Sequence, residues 1–379
     1  MLSVDVLIVG GGPAGSSLGY MTQKAGLKSC IVDKALFPRK KLCGGLLTQK
    51  THDLINLIYN DTSYPCECIT SKIGLFLGDE KLSSVQVDSN FYLVDRKDFD
   101  QYLIMKYQSA AGVFLENTTV TSVNLRNNCA SLSTGEVIYY RILVGADGAN
   151  SQVRRYIDRN YRPNAVCLEF DSPSDDVSDE LQVYFLAVRS GYGWCFPKKS
   201  HYTVGLGGVI EDNQNIKNKF EVFYKNIGKI DGNENTKGAL IPFGRFVKSP
   251  CKNNILLIGD AAGLVDPITG EGIYFALLSA KYASEAIISF TSCKDNLRKL
   301  YSVKVKQIHS IISEANTFNS ILFNGFAKSY LLKMVKGKTN VIKYYSDNLL
   351  SHYNITYLGF VTKYLKVRWK RKKSERKRS

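Results

Sequence analysis

Two glycine-bearing segments near opposite ends of the chain constrain its fold more than any other feature. They are Gly10-Gly11-Gly12-Pro13-Ala14-Gly15 and Leu256-Leu257-Ile258-Gly259-Asp260-Ala261-Ala262-Gly263, and both look built to hold one dinucleotide. The apolar run Asp5-Val6-Leu7-Ile8-Val9 precedes the first, and residues Ala14 to Ala25 after it can form a helix, so the local order is strand, tight turn, helix. Gly10 permits the turn, Gly12 lets the backbone approach a pyrophosphate, and Gly15 lets helix and strand pack closely. The N-terminus of the helix beginning at Ala14 then faces the phosphates with unpaired N–H groups. A second strand, Cys30-Ile31-Val32, ends in Asp33, placed to accept from ribose hydroxyls.

Such a fingerprint admits NAD as readily as FAD, and two later segments decide for FAD. Arg141-Ile142-Leu143-Val144-Gly145-Ala146-Asp147-Gly148 begins as a buried strand and ends in a polar turn, followed by Arg154-Arg155. The segment at Asp260 repeats that pattern, and Gly270-Glu271-Gly272 opens the apolar helix from Ile273 to Phe290. Each aspartate falls at the carboxyl edge of a parallel sheet, where ligands sit in open α/β folds. Asp260 is expected to accept from a ribityl chain, and the amides around Gly272 and Ile273 to hold the electron-rich edge of a reduced isoalloxazine.

In these residues the chain resembles the FAD-dependent family of aromatic-ring hydroxylases, flavin halogenases and geranylgeranyl reductases, over residues 1 to about 290. Two stretches narrow the resemblance to the geranylgeranyl reductases. Arg39-Lys40-Lys41-Leu42-Cys43-Gly44-Gly45-Leu46 is similar to that branch's Lys-Pro-Cys-Gly-Gly segment, and Gly191-Tyr192-Gly193-Trp194-Cys195-Phe196-Pro197-Lys198 to its Tyr-x-Trp-x-Phe-Pro segment. The resemblance implies that Arg39, Cys43, Gly44 and Leu46 lie at the cofactor, that Arg96 stands against its phosphate or ribityl region, and that Val120 meets the adenine. It also implies catalytic places for Cys43, Tyr192 and Trp194. Physically, a Tyr-x-Trp pair on a strand turns both rings to one face, a wall suited to a flat flavin or a long hydrocarbon and equally to ordinary sheet core. Cys43 is readable as a proton donor or relay and as a small buried hydrophobe. Arg96 can fork to a phosphate or head a helix in solvent.

The expected fold is α/β, α+β overall: a Rossmann-like FAD-binding domain of the aromatic-hydroxylase type, an inserted antiparallel-sheet substrate domain and a C-terminal helical region. The scatter of the motifs assigns 1–61, 93–162 and 249–294 to the FAD-binding domain. Residues 62–92 and 163–248, rich in β-branched and aromatic residues between turns, form the sheet domain. A hairpin, 132–134 with 137–140, lies inside the FAD domain. Residues 295–362 form a helical cap, with Ile308, Ile311, Ile312 and Phe318 recurring at helical spacing. Nine cysteines at irregular spacing and the lack of an apolar leader before Val6 point to a reduced, cytoplasmic protein. Four histidines and a Cys66-x-Cys68 pair without a second ligand pair give no metal site.

Of the formal net charge of +16, residues 363–378 hold +9, in ten basic residues and one acidic. With Tyr364 and Trp369 as headgroup anchors, this tail suits an anionic membrane surface, a peripheral placement on the inner face. Nucleic acid has the same electrostatic signature but is the weaker reading beside a lipid-acting resemblance, and the tail is also readable as merely solvated. Residues 318–335 suit an interfacial helix as well as a helix packed on its own domain.

The expected function is FAD-dependent saturation of C=C bonds in a polyprenyl chain on a lipid or quinone, with electrons from an external donor, NADPH or ferredoxin. The alternatives are a monooxygenase or halogenase of the same fold, and a non-enzymatic protein that binds membrane or nucleic acid.

Overall fold

A computed structural model describes residues 2–185, 187–228, 236–293 and 296–323, together with positions 340, 343, 344, 346, 347 and 359. The tail 363–379, with Tyr364 and Trp369, lies outside the described residues, as does most of 324–362, and the interfacial-helix expectation falls largely there.

The central strand Leu2–Val9 is buried without interruption from Val6 to Ile8, as befits a parallel strand covered on both faces. It pairs in parallel with Ser29–Val32 on one side and Val137–Gly145 on the other. Val113–Leu115 extends the first flank, and Ile255–Leu257 then Cys251–Lys252 the second. Val9 is aligned with Val32 and with Gly145, and Gly145 with Leu257, so these strands deliver their carboxyl ends to one edge in a row. Val120–Asn124 and Cys129–Leu132 add an antiparallel meander on Val137–Gly145, the hairpin forming with its first strand earlier than 132–134.

Helix Pro13–Lys24 begins with proline, which needs no amide partner there, and buries Ala14, Gly15, Ser16, Ser17 and Gly19, so it lies close on the sheet. It packs against helices Arg96–Ser109, capped by the Asp95 carboxylate on Lys97 N–H, and Ile273–Cys293. Helix Leu297–Phe323 then buries Leu297, Tyr301, Val305, Ile308, Ile312 and Ala315 at helical spacing. The Tyr301 hydroxyl donates to Leu257 O at 2.8 Å, so this first part of the expected cap is seated on the nucleotide-type core itself. No helix among the described residues is long and apolar enough to cross a membrane.

A second sheet runs Lys237–Ile241, Ala165–Pro173, His201–Val209, Gly191–Pro197, Leu181–Phe185, Cys68–Leu77, Glu80–Leu93 and Leu46–Thr48. Neighbours are antiparallel except Leu181–Phe185 with Cys68–Leu77, which are parallel. Its outermost strand, Leu46–Thr48, comes from within the stretch 1–61 assigned to the FAD-binding segments. One face carries Cys195, Tyr202, Val204 and Leu206 against helix Ile216–Asn226; the other carries Trp194, Phe196, Cys167 and Leu181. Gly205, directly opposite Trp194, gives the indole its place, since a Cβ there would lie 2.1 Å from the ring. Gly205→Ala is therefore expected to cost ~1–3 kcal/mol by overpacking, read as a lower urea midpoint with a red-shifted tryptophan emission.

Candidate functional site

At the carboxyl edge of the parallel sheet the chain opens into a cavity of about 1920 Å³. An ordinary small-ligand pocket holds ~300–1,000 Å³, so this one has room for more than one ligand. Gly10, Gly12, Ala14, Asp33, Arg39, Cys43, Gly44, Leu46, Arg96, Val120, Asp147, Tyr192, Trp194, Asp260, Gly270, Gly272 and Ile273 all line it. Gly15 does not, but a Cβ there would stand 1.9 Å from Gly10 O, which is the close packing of turn and helix expected of it. Gly10 itself has φ +109°, and a Cβ on it would strike the Ala146 carbonyl at 2.3 Å.

The phosphate-type end is electropositive. Gly12 is the N-cap of its helix with no side chain bonded across the end, and Arg39 Nη2 would lie 3.4 Å from a Cβ at that glycine. Arg39 reaches Asp100 at 3.0 Å, while Arg96 forks onto the same carboxylate through Nε and Nη2, each at 2.8 Å. Asp100 is fully buried. Burial works against the charged Arg96 guanidinium, but the Asp100 carboxylate outweighs it and the pKa rises. Two arginines on one carboxylate leave one net positive charge beside a helix N-terminus, a place made for an anion. Asp33 accepts from Gly11 N at 2.7 Å and Ala35 N at 2.8 Å, one amide per oxygen, which leaves lone pairs on both for a ligand.

The two aspartate turns are braced together. Arg154 donates to Ala149 O at 2.5 Å and Ala261 O at 3.1 Å, joining the turn after Asp147 to the turn after Gly259. Asp147 accepts from Gln152 N through Oδ2, whereas its Oδ1 is buried with no partner among the described residues. Burial raises both Asp147 and Asp260. An unpartnered acceptor in a cavity wall fits a ligand hydroxyl donor, so the residues present suit a dinucleotide with a polyol chain. Beside them, Glu271 sits between Gly270 and Gly272 and is held by Lys50 Nζ at 2.6 Å and Thr48 Oγ1 at 2.6 Å, a buried ion pair that fixes the entry to helix Ile273–Cys293.

The rest of the cavity is apolar. Tyr192, Trp194 and Phe196 share one face, with centroids 5.8 Å and 6.3 Å apart along the strand. Ile73, Leu75, Phe91, Leu181, Val183 and Phe185 continue the wall. The Tyr192 hydroxyl donates to Thr269 O, and burial raises its pKa, so Tyr192 serves there as a wall and a tie between the second sheet and the turn before helix Ile273–Cys293 and keeps its proton. The Cys43-Gly44-Gly45 loop lies on this wall: a Cβ on Gly44 would be 2.7 Å from Phe196, and Gly45, at φ +69°, packs against Val94 O. Gly45 N–H points at the Cys43 sulfur at 3.4 Å, and the Arg96 guanidinium is within its reach.

Four residues at the site carried no role in the sequence reading. Asp100 was signalled by its i, i+4 spacing from Arg96. Arg154 belongs to the basic pair Arg154-Arg155 that follows the first aspartate turn. Lys198 closes the aromatic segment 191–198; it is buried and donates to Gly44 O at 2.9 Å and Val94 O at 2.7 Å, with its pKa lowered by burial. Glu169, a lone acid in the apolar strand Ala165–Pro173, gave the faintest signal.

A family model described as FAD binding domain matches residues 3–309. The chain is 32% identical over 297 residues to an uncharacterized protein of Methanosarcina barkeri, covering 76% of each. It is 28% identical over 311 residues to a geranylgeranyl diphosphate reductase of Rhodobacter capsulatus, again 76% of each. Among solved structures it is similar to a geranylgeranyl bacteriochlorophyll reductase-like protein from Thermoplasma acidophilum, with a TM-score of 0.78, 22% identity and 96% of both chains covered, which establishes a common fold.

Asp100→Asn strips the countercharge from the buried Arg96. It is expected to cost ~3–5 kcal/mol of stability and to weaken retention of a bound dinucleotide, checked by urea unfolding and by dialysis of the yellow protein.

Proposed function

The chain belongs to the FAD binding domain family, and from that premise we propose that it is an FAD-dependent reductase that saturates carbon–carbon double bonds of a polyprenyl chain on a lipid or quinone. The observation that carries this reading is the shape of the cavity: a polar, electropositive end continuous with a long apolar wall, in a volume about twice the upper end of the ordinary range. The polar end suits FAD. Gly10, Gly12 and Ala14 with Arg39 and Arg96 would take the pyrophosphate and ribityl region, Gly15 letting the turn pack on its helix, with Asp33 at the ribose and Val120 at the adenine. Asp147 and Asp260 would accept from the polyol chain, with Gly270, Gly272 and Ile273 along the flavin edge and Cys43, Gly44 and Leu46 facing it.

Once reduced, the flavin supplies the hydride that alkene reduction needs. The chain's own residues do the rest. The apolar wall orients a hydrocarbon and excludes water. The Cys43 thiol supplies the proton for the second carbon, and the sulfur left behind is met by Gly45 N–H and the Arg96 guanidinium. Trp194 and Tyr192 act as the positioning wall. Electrons come from an external donor, NADPH or a ferredoxin. The basic tail 363–379, at +9, holds the protein at an anionic membrane surface where such lipids reside. The kinship with a geranylgeranyl diphosphate reductase supports the choice of chain.

A single turnover tests it. The dithionite-reduced protein, mixed with a geranylgeranyl lipid under strict anaerobiosis, is expected to reoxidise its flavin as the product gains two hydrogens. A flavin that stays reduced until oxygen enters would indicate a monooxygenase or halogenase. Cys43→Ala should remain yellow and slow that turnover by about a hundredfold. A chain lacking residues 363–379 should lose salt-sensitive sedimentation with phosphatidylserine vesicles and keep its turnover of detergent-dispersed lipid.

A further inference from the structure

Behind the loop that carries Cys43 stands a carboxylate for which the nucleotide site has no use. Strand alternation turns Glu169 toward the cavity side of the second sheet, two residues from Cys167, yet it is only 8% exposed. Two donors from separate parts of the chain converge on it. Cys43 N–H reaches Oε1 at 3.1 Å, and the Trp194 indole N–H reaches Oε2 at 3.2 Å. From the other side Lys198 holds the Gly44 carbonyl, so the loop is gripped at consecutive residues.

We propose that Glu169 is a positioning residue of the site: by accepting from the Cys43 amide and the Trp194 indole together, its carboxylate sets the Cys43 sulfur and the aromatic wall at one fixed separation. This deepens the reading of the cavity as a site of alkene reduction and rests on it. Both a proton donor and a hydrocarbon wall must meet the same alkene there, and displacement of either costs rate steeply.

The clamp is whole only when Glu169 is ionised, because a carboxylic acid spends one oxygen on its own proton and accepts poorly there. Burial is the largest influence and pushes Glu169 up to about 7; the Cys43 amide, Lys198 and the Trp194 indole pull it down, and Asp171 on the same strand pushes it up. Cys167, the other titratable neighbour on that face, is pushed up to about 12 by burial and stays a neutral thiol. The clamp therefore assembles as pH rises through about 7.

The test needs no substrate in its first stage. The chain has two tryptophans, so a Trp369→Phe background leaves Trp194 emission to be followed alone in the FAD-loaded protein. Alkylation of Cys43 by iodoacetamide, read by peptide mass, reports the loop. The expected result is an emission change centred near pH 7 that Glu169→Gln abolishes. Glutamine accepts through one oxygen only, so Cys43 alkylation at one fixed alkaline pH should be about tenfold faster in that variant, and Glu169→Asp should recover part of the difference. In single turnover the wild-type rate should rise through pH 7 while the Gln variant is slow and flat. A Gln variant that keeps both the wild-type emission profile and the wild-type Cys43 reactivity overturns the proposal. Should that variant not fold, Glu169→Asp, whose shorter side chain cannot reach both donors, overturns the proposal if it keeps the wild-type Cys43 alkylation rate. If both clamp signals behave as expected and no prenyl substrate is reduced, the clamp stands and the substrate reading falls.

Discussion

Everything at this site depends on the parallel register of four strand ends. Because Val9, Val32, Gly145 and Leu257 finish in one row, the segments that follow them, from Gly10, Asp33, Ala146 and Ile258, are delivered to a single edge. A parallel sheet can do this only with crossover connections, and those connections are the helices and the second sheet. The helix N-terminus at Gly12, the Asp33 carboxylate and the two later aspartates thus converge without any one of them being close to another in sequence.

The second sheet contributes a different kind of order. It faces its own helix on one side and the cavity on the other, so its alternation writes two environments along each strand: Cys195 in the interior, Trp194 and Phe196 in the wall. Charge is distributed accordingly. The phosphate-type end keeps a surplus positive charge on Arg39 and Arg96 over the buried Asp100. The aromatic end keeps Lys198 and Glu169 out of solvent, each with polar partners on at least two sides. Buried charges left without such partners would be costly, so both are held in place by the same loop they hold.

Much of this was legible in the chain. Local rules carried the glycine turn, the strands around it, the helix after Gly272 and the facing of Tyr192 with Trp194, because each depends on neighbours within a few residues. Contacts across the fold were not legible. Nothing near Leu46 marks Leu46–Thr48 as an edge strand of the second sheet, since its partner lies at Phe91–Leu93. Arg39 gives no hint that it shares Asp100 with Arg96. Glu169 sits in an apolar strand whose pattern says only that it is buried, and its two donors come from a loop and a strand remote in sequence. Helical periodicity beyond 295 was correctly heard in Ile308 and Ile312, while its seat against Leu257 depended on the Tyr301 hydroxyl.

The brace that Arg154 forms between the two aspartate turns has a bearing on how the chain comes to life on the ribosome. The central strand has a partner as soon as Ser29–Val32 emerges, but its other flank waits for Val137–Gly145, and Arg154 has no carbonyl at Ala261 to hold until the late segment is synthesised. During that interval the growing polypeptide first carries the apolar edge of Leu2–Val9 and then that of Val137–Gly145, which waits for Ile255–Leu257. Exposed strand edges of this kind are where nascent proteins associate wrongly. A stalled or truncated chain ending before Asp260 therefore has the first glycine turn without the brace that joins the two aspartate turns.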